Sequence, residues 1–166
     1  MAEVDAMERD EFTRVLGPVF EHSPWLAEGT WPRRPFRTLD ELHRALCDTV
    51  AEADAVQQLA LIQAHPDLVG RAALAGTLTP ASSDEQASAG LDRMSAEEVA
   101  AFQKHNADYR QRFGFPFVIC ARLNKKESIL AAFPKRLMNS RPEEIQTALS
   151  EVGKIARLRL ENLIKP

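Results

Sequence analysis

The side chain best suited to acid–base chemistry in this sequence is His65, which lies within AHPDL at residues 64–68. An apolar run containing Leu59 and Ile62 precedes it, at the spacing of one face of a helix. Pro66 disfavours helical backbone in the residue before it, so we expect this helix to end at His65. The carboxyl end of a helix favours a protonated imidazole, and this local pattern alone favours a capping role for His65 over a catalytic one.

A second group of polar side chains follows in SSDEQ, at residues 82–86. The spacing of Ser82 and Glu85 predicts a Ser-x-x-Glu capping box at the start of a helix. With Gln86, the same stretch gathers hydroxyls, carboxylates and an amide, which suits an anionic, urea-like or imide-rich ligand at a helix N-terminus. The two roles can coexist. Neither Ser82 nor Ser83 lies in the Gly-x-Ser-x-Gly elbow of an acyl nucleophile.

The third candidate segment is FGFPFVICAR, at residues 113–122. Its phenylalanines are typical of a core, while Gly114 and Pro116 indicate a rigid, irregular backbone. Arg122 follows the apolar run, and a guanidinium beside apolar walls is suited to holding a carboxylate through two hydrogen bonds. A surface arginine fits the sequence equally well.

Helix-start signals recur along the rest of the chain. Thr/Ser-x-x-Glu capping boxes precede apolar residues at helical spacing, beginning at Thr38, Ser95 and Ser140. A further helix is predicted to start near Asp54 and to end near Pro66.

Other segments carry weaker signals. Residues 115–123 favour strand by composition but have no partner strand, so we predict an extended loop followed by a helix. Pro134 is predicted to kink or split a helix over about residues 126–138. Residues 17–36, with Trp25 and Trp31, are predicted to form an irregular connection packed on the helices. The fold class predicted is all-α, a single-domain bundle of about seven to nine helices with irregular connecting loops.

Composition limits the classes of function. The 166 residues, 45% hydrophobic and 27% charged, fit one folded domain. A formal net charge of -3 does not favour nucleic-acid binding. Cys47 and Cys120 lack the spacing of a zinc site, so no structural metal is expected. The basic residues near the end of the chain alternate with leucines and are predicted to form a solvated helix face: Lys154, Arg157, Arg159 and Lys165.

The other histidines have weaker signals: His43 and His105 fall in predicted amphipathic helices, where we expect surface or hydrogen-bonded imidazoles. His22 stays unassigned. No window reaches the roughly 18 apolar residues needed to span a bilayer. The acidic N-terminus lacks the apolar core of a secretory signal, so we expect a cytoplasmic protein without a membrane partner.

Taken in order, AHPDL, LTPASSDEQASAGL (residues 78–91) and FGFPFVICAR resemble the 2-oxo-4-hydroxy-4-carboxy-5-ureidoimidazoline (OHCU) decarboxylase family of urate breakdown. EFTRVLGPVFEHSPWLAE, at residues 11–28, resembles the family's N-terminal region, so the resemblance covers nearly the whole chain, residues 1–166. It implies an all-helical, usually homodimeric enzyme that needs no metal or organic cofactor. Such an enzyme converts OHCU to (S)-allantoin and carbon dioxide.

The resemblance also implies roles for single residues. His65 matches the family's catalytic histidine, Glu85 its catalytic carboxylate, and Pro66 the histidine's neighbour in the pocket.

The residues that the resemblance implies for substrate binding complete this set. Ser82 and Gln86 match polar ligands of the substrate, Arg122 matches the substrate-binding arginine, and Ile119 would supply pocket wall and main-chain contacts. The doubled serine allows two registers, and Ser82 rather than Ser83 keeps the family's Ser-x-x-Glu-Gln spacing.

Two other functions stay open on the residues alone. One is a non-enzymatic helical adaptor, in which the Phe-rich segment forms a partner groove and His65 is a cap. The other is a Ser/His amidohydrolase acting on a ureido compound.

Overall fold

The computed structural model describes residues 1–164, and within them the regular structure consists of α-helices and short 3-10 turns, without strands. The all-α prediction is confirmed, and residues 1–164 contain ten α-helices instead of the predicted seven to nine, because short helices such as Arg71–Leu74 carry little periodic signal. The 3-10 turns are Gly17–Val19, Trp31–Arg33 and Ala121–Leu123. The helices are α1 (Ala2–Ala6), α2 (Arg9–Leu16), α3 (Trp25–Thr30), α4 (Leu39–Glu52), α5 (Ala55–Gln63), α6 (Arg71–Leu74), α7 (Pro80–Ser88), α8 (Ala96–Phe113), α9 (Lys126–Arg136) and α10 (Arg141–Leu163).

Capping side chains begin several of the longer helices, as the sequence predicts. Ser95 and Glu98 form a complete capping box at the start of α8. At α10, the Glu143 carboxylate accepts a hydrogen bond from the Ser140 N–H at 2.8 Å. The predicted start of α5 is confirmed at Asp54, whose side chain accepts from the backbone of the third helical residue.

The cap of α4 differs from the predicted box in one bond. Thr38 accepts a hydrogen bond from the Glu41 N–H at 3.1 Å, as expected. The Glu41 carboxylate accepts from the Arg37 N–H instead of the Thr38 N–H. The helix therefore begins at the predicted residue with half of the predicted reciprocal pair.

Two predictions based on proline need correction. The α9 helix runs through Pro134 to Arg136, so the predicted split is wrong, while the alternative of a kink stays a prediction. Ile129 and Phe133 on this helix are fully buried, and their packing offsets the hydrogen bond that proline removes. The segment 17–36 is less irregular than predicted, since it contains α3, which begins directly after Pro24. A proline is tolerated there because the first N–H groups of a helix have no partner within it.

By its internal contacts the chain divides into two compact units, and the assignment of residues 1–166 to one domain stays a prediction. The first unit comprises residues 1–64 and the chain from Gly153 onward. In it α2 packs on α3, and α3 packs on α4. Its largest fully buried side chains are Phe12, Leu16, Leu26, Leu42, Leu46, Leu61 and Ile62.

The predicted solvated face near the end of the chain is wrong for Arg159. This side chain is buried in the first unit, where its guanidinium donates to the buried Glu21 carboxylate at 2.9 Å. A buried guanidinium requires such a partner. Lys154 is exposed, Arg157 is half-buried, and Lys165 lies outside the described residues.

The second unit, residues 65–152, is built around aromatic side chains. Phe117 stacks on Phe133 with 3.9 Å between ring centroids, and Tyr109 meets Phe117 edge-on at 5.2 Å. Phe115 and Phe117 are at most 1% exposed. The Phe-rich segment is therefore core, which removes the partner groove that the adaptor hypothesis needs.

Of the two helical histidines, His43 is hydrogen-bonded as predicted, whereas His105 makes a ring contact that the sequence did not predict. In the first unit, His43 on α4 lies with Nε2 2.8 Å from the Gly153 carbonyl oxygen. In the second unit, His105 on α8 stacks on Phe133 at 5.0 Å. Both imidazoles therefore have structural roles.

Candidate active site

The polar cluster of residues 82–86 lies inside α7, not at its start. Thr79 caps the helix by accepting a hydrogen bond from the Ser82 N–H, and Pro80 is the first helical residue. The predicted Ser82–Glu85 capping box is therefore wrong. Thr79-Pro80 is the signal that could have found the true start, because proline favours the first helical position and threonine the position before it.

This register places Ser82, Glu85 and Gln86 on one face of α7, since residues three and four apart lie above one another on a helix. Ser82 and Gln86 are 4% and 6% exposed, Glu85 is half-buried, and Ser83 is exposed. Burying polar side chains costs free energy unless they gain partners, and each of these three has a partner within the chain. The helix face that carries them is a candidate binding face.

The histidine loop, residues 65–70, follows the end of α5 at Gln63, close to the predicted helix end. His65 is buried, with 6% of its surface exposed, and Pro66 is half-buried. The loop closes with a turn in which the Gly70 N–H donates to the Asp67 carbonyl oxygen at 3.2 Å. A Cβ at Gly70 would lie 2.6 Å from the Asp67 Cβ, so this turn requires glycine.

Three side chains from neighbouring helices hold this loop. On α8, Arg110 Nε donates to both Asp67 carboxylate oxygens, at 2.9 and 3.0 Å. The other two are Asn106 on α8 and Gln86 on α7, which contact the same peptide bond of the loop. The sequence does not identify Arg110 as a contact of this loop, because it looks like any other basic residue on an amphipathic helix.

The Leu68–Val69 peptide bond of the loop is held at both ends. Asn106 Nδ2 on α8 donates to the Leu68 carbonyl oxygen at 2.8 Å, and Gln86 Oε1 on α7 accepts from the Val69 N–H at 3.0 Å. Val69 is buried and has a φ of 52°, a conformation that β-branched residues rarely adopt. The loop is thus fixed to α7 and α8 in a strained conformation. No local sequence pattern identifies Asn106 as a contact of the loop either.

The phenylalanine segment, residues 114–120, is the second irregular stretch of this unit. Gly114 ends α8 in the left-handed conformation, with a φ of 80°. An extended stretch leads into the 3-10 turn Ala121–Leu123, in agreement with the predicted extended loop followed by a helix.

Two charged side chains fix the backbone of this segment. Arg136 on α9 donates to the Val118 carbonyl oxygen, and Glu151 on α10 accepts from the Cys120 N–H at 2.8 Å. Successive residues of an extended chain direct their backbone groups to opposite sides. Ile119, between them and half-buried, makes no backbone hydrogen bond to any residue among 1–164. Its N–H and C=O form a donor and acceptor pair that a ligand could use.

Arg122 lies in the 3-10 turn that packs against α7. The Lys126 N–H, just beyond this turn, donates to the Ala89 carbonyl oxygen at 3.2 Å, which ties the turn to the end of α7. The Arg122 side chain is exposed and forms no ion pair within the described part of the chain. Its guanidinium is therefore available to an anionic ligand.

A buried ionic cluster supports the phenylalanine segment from behind. Arg136 and Tyr109 both donate to the fully buried Glu144 carboxylate, and Asn139 donates to its other oxygen at 2.7 Å. Burial, with the hydrogen bond to Glu144, raises the pKa of Tyr109 well above its ordinary value. The guanidinium that holds the Val118 carbonyl is itself fixed by this cluster.

A cavity of about 720 Å³ borders the other side of the histidine loop, between the loop, α6 and α8. Of the predicted site residues it is Pro66 that lines this cavity, together with Asp67, Arg71 and Asn106. Gln86 meets the loop from α7 instead. The loop therefore has one face toward α7 and another toward an open cavity.

A helical unit that combines a buried imidazole, a buried polar stripe and an available backbone amide pair has the character of an enzyme for a small polar substrate. Comparison with known proteins identifies the family of this enzyme. The profile of the family described as OHCU decarboxylase matches residues 5–161. The chain belongs to the OHCU decarboxylase family.

Its curated relatives include the 2-oxo-4-hydroxy-4-carboxy-5-ureidoimidazoline decarboxylase of Halalkalicoccus jeotgali, 42% identical over 99% of this chain and 91% of that protein. The Amia calva protein of the same name is 39% identical over 99% and 94%. The uric acid degradation bifunctional protein PucL of Bacillus subtilis is 38% identical, and the match covers 99% of this chain and 32% of PucL.

Two solved structures are also similar. A crystal structure of (S)-allantoin synthase matches with a TM-score of 0.79 and 28% identity, over 98% of this chain and 53% of that one. An OHCU decarboxylase crystallised in the presence of (S)-allantoin matches with a TM-score of 0.70 and 26% identity, over 86% and 92%. The chain thus spans about half of the first protein and most of the second.

Proposed function

We propose that this chain is a carboxy-lyase that converts OHCU to (S)-allantoin and carbon dioxide in urate catabolism, a part of purine metabolism. The observation that carries the proposal is the family match over residues 5–161. Relatives named as OHCU decarboxylases, with 91% and 94% of their length covered, support the same activity. A similar fold crystallised with (S)-allantoin supports the identity of the product.

The substrate needs little from the protein beyond position and charge. Its leaving carboxylate is on a carbon that also bears a hydroxyl, and the neighbouring carbon is doubly bonded to nitrogen. When the carbon–carboxylate bond breaks, its electron pair moves into the new carbon–carbon double bond, and the imine electrons move to nitrogen. Holding the scissile bond in line with that acceptor and stabilising the redistributed charge would be the protein's contribution.

In this proposal His65 is the acid–base group and Glu85 orients it. The imidazole would accept the proton of the hydroxyl beside the carboxylate, so that this oxygen ends as a carbonyl. Burial of His65 excludes water that would compete for this hydrogen bond. The ring nitrogen that received the imine electrons takes up one proton and the carbon bearing the ureido group takes up another, one returned from the hydroxyl through His65 and one from solvent. This completes allantoin, and the shape of the pocket would select the (S) form.

The substrate-binding roles of Gln86 and Ile119 follow from hydrogen-bonding groups that the fold leaves open. Gln86 uses Oε1 for the Val69 N–H, which leaves Nε2 to donate to a ureido or ring carbonyl. Ser82 lies one turn before it on the same face. The Ile119 N–H and C=O match the acceptor and donor of a cyclic amide, in the manner of a strand pair.

Two further residues would complete the binding site. Arg122, exposed in its turn against α7, would bind an anionic or carbonyl oxygen of the substrate. Pro66 would form wall beside His65.

The testing experiment follows both products. The protein is mixed with freshly generated OHCU, circular dichroism detects enantiomerically enriched allantoin, and trapped carbon dioxide is measured in parallel. We expect (S)-allantoin and carbon dioxide in equal amounts, faster than in the spontaneous reaction. Ammonia or a ring-opened acid without carbon dioxide would instead indicate an amidohydrolase, and no acceleration would indicate a binding protein.

The same proposal includes a cytoplasmic homodimer whose partner molecule is the small substrate, without nucleic acid. Family resemblance supports the dimer, and light scattering with size-exclusion chromatography tests it. Both cysteines are thiols, which agrees with a reducing compartment. None of the helices within residues 1–164 is both long and apolar enough to cross a membrane.

A further inference from the structure

The Leu68–Val69 peptide bond of the histidine loop is oriented by two amide side chains. Asn106 Nδ2 donates to its oxygen at 2.8 Å, and Gln86 Oε1 accepts from its N–H at 3.0 Å. Each amide comes from a different helix, Asn106 from α8 and Gln86 from α7. The orientation of this one peptide plane is therefore determined from both sides.

That orientation is not the one the local sequence prefers. Val69 has a φ of 52° and is 3% exposed. Turning the peptide plane over by half a rotation would return Val69 to the extended region, where a β-branched residue is most stable. The two amides hold the peptide against this relaxation, and loss of one of them would free the peptide to turn over.

Asn106 destabilises the folded state through one end of its side-chain amide. Its Oδ1 is buried and has no hydrogen-bond partner in the described part of the chain, while Nδ2 holds the Leu68 oxygen. A buried acceptor without a partner destabilises the folded state, and an apolar side chain of similar size would avoid that cost. The donor end of this amide is what the position uses.

The orientation of this peptide also determines which atom of the Gln86 amide, Oε1 or Nε2, points toward the loop. While the Val69 N–H points at Gln86, Oε1 must turn toward it and Nε2 turns away as a donor. If the peptide turned over, its carbonyl oxygen would face Gln86 and would require Nε2 instead. The amide would then present an acceptor where it had presented a donor.

We infer that Asn106 is a positioning residue for substrate binding, acting through the Leu68–Val69 peptide bond to fix which end of the Gln86 amide faces the substrate. Asn106 does not itself contact substrate in this account. The inference rests on the proposed function for the identity of the substrate, and the contact network that carries it lies wholly within the second unit.

The kinetic test uses Asn106→Leu, with Asn106→Ala as a second variant lacking the same donor. We expect KM for OHCU to rise about tenfold, the effect of one lost or mismatched hydrogen bond, with a smaller change in kcat. In Asn106→Leu the melting temperature should change little, because the substitution removes the orphaned Oδ1 and keeps a side chain of similar size. A merely structural role would lower the melting temperature and leave KM unchanged.

The conformational test removes the reason for relaxation. In Val69→Gly, residue 69 adopts a positive φ without strain. Val69→Ala also removes most of the side chain, but it keeps the Cβ that disfavours a positive φ. In the Asn106→Leu background we expect Val69→Gly to restore most of the KM and Val69→Ala to restore none. Equal behaviour of the two double variants would overturn the inference.

A measurement without substrate separates this inference from the proposed function. Hydrogen exchange of the residue 69 amide should be slow in the parent, faster in Asn106→Leu, and slow again with Val69→Gly added. Arg110→Gln, which frees Asp67 in the same loop, should leave that amide protected. Unchanged exchange in Asn106→Leu overturns the inference even if the parent decarboxylates OHCU. A parent that makes no (S)-allantoin refutes the proposed function, and the exchange rates still decide whether Asn106 holds the peptide.

Discussion

The histidine loop and the phenylalanine segment are both irregular, but they are built in opposite ways. In the histidine loop, the backbone is held by side chains of α7 and α8, and one residue, Val69, is strained. In the phenylalanine segment, the aromatic side chains are buried in the core, and the charged side chains of Arg136 and Glu151 fix the backbone on either side of Ile119.

This difference separates two kinds of chemistry. In the proposed site, the histidine loop, whose backbone groups are bonded, would offer the His65 side chain. The phenylalanine segment, whose aromatic side chains are buried, would offer the Ile119 N–H and C=O. One face of α7 would add Ser82, Glu85 and Gln86. We expect catalysis to depend on the first region and recognition of the ureide to depend on the second.

The largest expected effect tests how the phenylalanine segment is anchored. Arg136→Met leaves the Glu144 carboxylate buried without its cation, so the free energy of unfolding should fall by about 3–5 kcal/mol in urea denaturation. Arg110→Met is the matched control, since its pair with Asp67 is partly exposed and worth at most about 1 kcal/mol. Equal losses from the two variants would contradict the contrast between the regions.

The next effect tests Glu85. Because Thr79, not Glu85, belongs to the cap of α7, Glu85→Gln should lower kcat by about 100-fold, or about 2.7 kcal/mol, with little change in melting temperature. Rates and melting curves are measured on the same preparation. A variant that melts earlier but turns over normally would return Glu85 to a structural role.

The converse variant is Thr79→Ala. It removes the hydroxyl that accepts from the Ser82 N–H and should cost about 1 kcal/mol of stability. Turnover per folded molecule should stay near the parent value, because Thr79 only begins the helix. A hundredfold loss of turnover at unchanged stability would show that the site extends to the cap.

The smallest effect is alkaline and concerns Tyr109, the single tyrosine of the sequence. The folded state holds its proton more tightly than the unfolded chain, so its contribution to stability is complete below about pH 10 and is lost as the pH rises further. Tyrosinate absorbance should therefore appear together with unfolding. Tyr109→Phe should flatten this alkaline slope, and an unchanged slope would assign it to other groups.

Much of this architecture is readable from the sequence because its signals are local. Ser95 and Asp54 begin their helices as predicted, and Pro66 follows the end of α5. The predicted start of α7 was three residues too late, because two helix-start signals lie close together. Ser82-x-x-Glu85 has the spacing of a capping box, but the helix begins at Thr79-Pro80. The prediction that Arg159 lies on a solvated helix face was wrong for another reason. Its partner Glu21 is distant in sequence, so no local pattern shows that the pair is buried.

The site residues that sequence reasoning missed share this property. Asn106 and Arg110 act on a loop that precedes them by some forty positions, with separations of 38 and 43 residues. No periodicity or spacing connects such pairs before the fold is known. Resemblance supplied the residues that would touch substrate, whereas only the structure brought out those that hold them.

The most direct test of the account compares His65→Asn with the parent in the OHCU decarboxylation assay. Asparagine keeps a polar side chain in the histidine loop but has no titratable nitrogen. We expect melting temperature and fold to be retained and kcat to fall by at least about 100-fold, the contribution typical of a general acid–base group. A loss of only a few-fold in a normally folded variant would contradict the catalytic role of His65.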